Sequence, residues 1–206
     1  MPMYVFNAQQ DSGSTMCGAF ALCAFLGEKG FRPEDIMYAI SRGLYSGVLE
    51  NAEVKKRRDD LEKTTISKDK FVASCVYEIV KSPDLRGFCS PKQMIEFARF
   101  GFDLHLKIKT QDKLYVDSKV QAAMGVIGQH IRGIEYATYA RIAAPQILVT
   151  IIGNPEIWYQ GMHYITRSLK GHYIDSGAGF GDRDHYETPF LDRPKYYPTW
   201  GPFWIE

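Results

Sequence analysis

The chain of 206 residues is poor in several things, and each shortage excludes a class of protein. It has four cysteines, Cys17, Cys23, Cys75 and Cys89, and no CxxC pair. A disulfide framework is not expected at this density, and no His/Cys pairs stand at zinc spacing. No run approaches the roughly 18 apolar residues of a membrane span. Net charge is scarce too, with 25 Lys+Arg against 24 Asp+Glu. A nucleic-acid binder would carry a basic footprint, so none is expected as a partner. The one basic run, Lys55-Lys56-Arg57-Arg58, is followed by Asp59, Asp60 and Glu62 and reads as a solvated helix face. The N-terminus has neither a basic n-region nor an apolar h-region, so no Sec signal is expected. The protein would be cytoplasmic or delivered by a dedicated secretion system. Repeats, low-complexity segments and Pro/Ser-rich linkers are missing as well.

What is present is a core. Hydrophobic residues make up 45% of the chain, enough for one domain over residues 1–206. Residues 16–26, nearly all apolar or small, predict a helix buried on every side, with Gly27 and Gly30 ending it. Pro33 with Glu34 and Asp35 opens a second helix. Residues 50–63 are highly charged and predict an exposed helix or excursion. Phe71, Val72, Cys75, Val76, Ile79 and Val80 recur at helical spacing, and Ser90-Pro91 opens a helix that Gly101 closes. Residues 103–109 alternate with period two and predict a strand, residues 117–132 one more helix, and residues 147–152 a central strand. Strands at 163–168 and 172–175 follow. The aromatic tail, 186–206, reads as loops packed on the body. Helices over about 1–102 and antiparallel strands over about 103–206 make the fold class α+β.

Cys17 stands in the first turn of the buried helix, where the helix N-terminus stabilises a thiolate. Gly18 beside it lets a substrate backbone approach. Gln9 and Gln10, eight and seven residues upstream, offer a side-chain amide to an oxyanion. A thiol nucleophile needs an imidazole and a group that fixes its tautomer. His163 opens a strand, and a three-residue hairpin loop would set it directly across from Asp175. A two-residue loop would not, and turn type is left open by the residues alone. His172 falls on the opposite strand face from Asp175. His105 is expected to be exposed, His130 to lie on a helix surface, and His185 in a loop.

Taken together, Gln, Cys-Gly-Ala opening a buried helix, Ala98-Arg99-Phe100-Gly101, the Pro145-led apolar strand, Gly161-Met162-His163-Tyr164-Ile165-Thr166 and Tyr173-Ile174-Asp175-Ser176 resemble the papain-like cysteine peptidase superfamily. The likeness runs over residues 9–177 and is strongest to the compact bacterial branch that includes the bacteriocin leader-processing peptidases. It implies a nucleophile helix in a helical lobe packed on a C-terminal antiparallel sheet. It implies Cys17 as nucleophile, His163 as general base and acid, Asp175 as orienting residue and Gln10 as oxyanion donor. The substrate would be a protein or peptide, no cofactor or metal would be needed, and a secreted effector or toxin role would suit the compact form. The same fold hosts glutamine deamidases, transglutaminase-type enzymes and peptidoglycan amidases, and it also serves as an inactive binding module. The chain departs from the family pattern in three places. The nearer glutamine lies seven residues before the cysteine, where the family has about six, which leaves Gln9 and Gln10 both eligible. Ser176 follows the aspartate where the family has proline. Residues 50–70 have no counterpart.

Overall fold

The computed structural model describes residues 4–6, 8–11, 13–138, 144–152, 161–169, 173–174 and 198–206. Helices α1 (Cys17–Glu28), α2 (Pro33–Ser41), α3 (Ala52–Glu62), α4 (Lys68–Val80) and α5 (Pro91–Phe102) come first. Strand β1 (Ile108–Thr110) and two short helices, α6 (Ser118–Ala123) and α7 (Val126–His130), follow. Strands β2 (Glu135–Tyr136), β3 (Gln146–Ile152), β4 (Gly161–Arg167), β5 (Tyr173–Ile174) and β6 (Pro198–Ile205) complete an α+β fold. The sheet order is β2-β1-β6-β3-β4-β5. It is mixed, since β2 runs parallel to β1 while the other pairs are antiparallel.

All twelve residues of α1 are buried. Each of its large apolar side chains, Phe20, Leu22, Phe25 and Leu26, removes enough surface from water to contribute roughly 1.5–3 kcal/mol. The helix lies between α4 and β4 and runs in the same sense as β4. Three contacts fix that alignment. The Cys17 thiol donates to the Met162 carbonyl at 3.5 Å, Thr166 Oγ1 donates to the Ala21 carbonyl at 2.6 Å, and Leu169 N–H donates to Glu28 Oε2 at 2.9 Å. The N-terminal segment returns along α1 from the other end. The Tyr4 carbonyl lies 2.7 Å from where a Cβ on Gly27 would stand, and the Phe6 ring meets Phe20 edge-on at 6.2 Å. Gly27 is thus inside the helix as a close-approach residue, and the reversal comes at Gly30, with φ +94°.

Four expectations are corrected. Residues 103–107 are not a strand. Asp103 adopts φ 55° as the cap of α5, and Leu104 N–H closes back onto the Ala98 carbonyl, so pairing begins only at Lys107, which exchanges backbone hydrogen bonds with Glu206, and the strand itself is Ile108–Thr110. The helix over 117–132 is broken in two at Gly125, whose φ 61° and ψ −131° no helix tolerates. These helices also interrupt the β part of the chain. The tail is not all loop: Pro198–Ile205 is an interior strand between β1 and β3. The prolines at 198 and 202 sit where that strand is irregular, with register shifts against β3 near Ile151 and Ile152.

His130 is half-buried, not a surface residue. Ser90, fully buried, caps α5 by accepting from Gln93 N–H and lies 2.8 Å from His130 Nδ1. Burial lowers the His130 pKa, Asp84 opposes that shift and Lys92 adds to it. The unfolded chain therefore binds this proton more tightly than the folded one. Stability is fully present above the ordinary histidine value of about 6.5 and is lost as pH falls through the lowered folded value. Melting temperatures measured between pH 7.5 and pH 5 should fall less in His130→Gln than in the unsubstituted protein. Identical slopes would remove His130 from the acid response.

Candidate functional site

The strand β4 carries the site to α1. Its side chains alternate. Tyr164 OH donates to the Cys89 carbonyl at 2.5 Å and Thr166 bonds Ala21, so Met162, Tyr164 and Thr166 face the helices. His163, Ile165 and Arg167 face the other side, in register with Thr150, Leu148 and Gln146 of β3. That second face is also buried: His163 is 8% exposed, Ile165 3% and Trp204 1%. Its rim is polar, with Glu206 accepting from Lys109 at 2.7 Å and from Gln146 at 2.5 Å.

Cys17 meets this strand at its backbone. The carbonyl that accepts its thiol belongs to Met162, the residue before His163, so two stretches 145 residues apart are brought together. Strand carbonyls lie in the sheet plane, so the sulfur approaches β4 at its margin and not over either face. The thiol's hydrogen bond goes to this carbonyl and not to the imidazole. The backbone N–H of Cys17 has no partner among the described residues. It is one of the N-terminal donors that a helix leaves open.

The loop before α1 is held to α4 at two points. Lys70 Nζ pairs with Asp11 at 2.6 Å, and Thr15 Oγ1 lies 2.8 Å from Tyr77 OH, which also donates to the Gly87 carbonyl at 2.9 Å. Ser14 Oγ accepts from Met16 N–H at 3.2 Å. Gln9 is exposed, whereas Gln10 is half-buried and its Oε1 is buried with no hydrogen-bond partner among the described residues. An orphaned buried acceptor costs about 1–3 kcal/mol, an expense that a solvated loop glutamine such as Gln9 avoids. Of the two eligible glutamines, Gln10 is the one whose amide is enclosed.

Asp175 lies outside the described residues, as do His172 and His185. The register next to it differs from the three-residue-loop expectation. Thr166 pairs with Ile174 and Arg167 with Tyr173, two residues off the alignment that would set His163 across from Asp175. Among the described residues the pairing of β4 with β5 consists of these two pairs. His105 is exposed, with its imidazole 3.3 Å from Asp103.

All four cysteines are free and buried. Burial holds Cys23 and Cys89 well above the ordinary thiol range and pushes Cys75 up to about 12, so these three are inert thiols. Cys89 has a position that spacing could not reveal. A Cβ on Gly18 would stand 2.5 Å from Cys89 Cβ and 2.9 Å from its sulfur. The Gly18 and Ala19 N–H groups point at that sulfur and partly offset its upward shift, while the nearby Cys17 sulfur adds to it. Met16 offers no side-chain cap, so Cys89 fills the N-terminal end of α1 one residue beyond Cys17. Nothing in the sequence marks Cys89 for this place except its position just before the Ser90-Pro91 helix start.

Among the described residues no helix is long and apolar enough to cross a membrane, and no group of three or more His, Cys, Asp or Glu could hold a metal ion. Compared with protein-family models, with curated proteins and with solved structures, the chain matches none.

Proposed function

We propose that this protein is a cysteine hydrolase that cleaves an amide bond in a protein or peptide, in the manner of the papain-like peptidases its motifs resemble. The observation that carries the reading is the contact of Cys17 with the Met162 carbonyl, which sets one thiol of four beside the strand that bears His163. In this reading the imidazole turns around the margin of β4, takes the thiol proton, and the sulfur attacks the substrate carbonyl carbon. The negative oxygen is held by the Cys17 N–H and by the Gln10 amide. His163 then protonates the leaving amine, water resolves the thioester, and Asp175 orients the imidazole.

A second reading, an inactive member that serves as a binding module, is favoured by one observation. Cys17 is only 3% exposed and spends its hydrogen bond on the main chain. Alkylation by iodoacetamide, read by mass spectrometry at all four cysteines, separates the two. For a hydrolase, Cys17 reacts at pH 6 at least roughly tenfold faster than Cys23, Cys75 and Cys89, and His163→Ala removes the advantage. Four equal rates would leave the binding module as the reading.

A further inference from the structure

We propose that Arg57 recognises a carboxylate on the substrate, so that the protein acts on an acidic segment with the charged side chain next to the scissile amide. The proposal rests on the hydrolase reading of Cys17 and deepens it. Helix α3 is capped by Asn51, whose side chain accepts from Glu53 N–H at 2.8 Å, and is anchored by Val54, which is fully buried. Arg57 and Arg58, three and four residues on, share the inward face with Val54. The basic run is therefore not one solvated face. Lys55 pairs with Glu50 at 2.7 Å and Arg58 donates to the Leu49 carbonyl at 3.4 Å. Arg57 turns to α1 instead and lays Nη2 against Met16 Sδ at 4.0 Å.

Met16 is the residue immediately before Cys17. A thioether at that distance is a weak acceptor, and Arg57 pairs with no carboxylate among the described residues. Its remaining donors are not buried, so the guanidinium stays open to a ligand from solvent. It suits a planar carboxylate, which it can grip with two parallel hydrogen bonds. Asp59, Asp60 and Glu62, which cancel the basic run when read along the chain, close no ion pair with Arg57.

The experiment compares two alkylating probes at Cys17, anionic iodoacetate and neutral iodoacetamide, at low ionic strength. Arg57→Gln should lower the iodoacetate-to-iodoacetamide rate ratio roughly three- to tenfold and leave the iodoacetamide rate within about twofold. Arg57→Lys should retain most of the ratio, and Lys56→Gln, the same loss of charge at an exposed neighbour, should leave it unchanged. An unaltered ratio in Arg57→Gln, or an equal fall in Lys56→Gln, overturns the proposal while Cys17 keeps its reactivity and the hydrolase reading stands. A Cys17 no faster than Cys23 with either probe overturns the hydrolase reading and this proposal with it.

Discussion

Cys17→Ala is expected to lower amide hydrolysis by at least about a thousandfold while the fold persists. The two halves of that expectation come from different contacts. Chemically, the other three cysteines cannot substitute, because burial keeps Cys23, Cys75 and Cys89 protonated. Structurally, the thiol contributes one long hydrogen bond of 3.5 Å to the Met162 carbonyl, worth well under about 1 kcal/mol, and a methyl group fills most of its space. The measurement is turnover of a mixed acidic and neutral peptide digest, followed by mass spectrometry, alongside a thermal melt. Undiminished turnover in a folded Cys17→Ala protein would move the chemistry elsewhere in the molecule.

Gly18→Ala is expected to be the most damaging one-carbon change near the site. Helix propensity favours alanine by about 1 kcal/mol. Against that, the new methyl would stand 2.5 Å from Cys89 Cβ, 2.9 Å from its sulfur and 3.2 Å from the Tyr164 ring. The first of these atoms is anchored to backbone, so it cannot swing aside. Overpacking of this kind costs typically 1–3 kcal/mol and occasionally more. Tyr164, pinned by its bond to the Cys89 carbonyl, cannot yield either. We expect a net loss of about 2 kcal/mol, a fall in melting temperature of roughly 4–8 °C for a chain of this size. The partner choice makes the cause testable. Cys89→Gly should remove most of the Gly18→Ala penalty in a double-mutant cycle, leaving the closer approach to Tyr164, whereas Cys89→Ala should not, because it keeps the clashing Cβ. A neutral Gly18→Ala in the native background would mean that α1 and Cys89 can separate at no cost.

The elements that could be read from the sequence are those whose signal is local. An eleven-residue apolar run announces α1, Ser90-Pro91 announces α5, and the β-branched run announces β3. The failures share a cause, which is that a partner decides the outcome. Leu104, Leu106 and Ile108 alternate like a strand, but β6 runs beside only the last of them. Pro198, Gly201 and Pro202 argue against a strand, yet β6 is held from both sides by β1 and β3. The same division holds at the site. Cys17 at the start of α1 and His163 on β4 are legible because each sits in a short motif. The place of Cys89 under Gly18 and the turn of Arg57 toward Met16 arise where separate helices meet, and no spacing within one segment encodes them. The register of β4 on β5 depends on a connection whose length the residues do not dictate.

The position of β6 also sets a clock on biosynthesis. β1 has neighbours on both sides only when β6 is beside it, and β3 likewise, so the middle of the sheet stays open until residues 198–205 have left the ribosome. The helices can gather as soon as they emerge, since their contacts are close in sequence. The support for the strand that touches the thiol thus emerges well after the helices. A nascent chain therefore carries Cys17 beside an incomplete sheet until β6 has emerged and taken its place between β1 and β3.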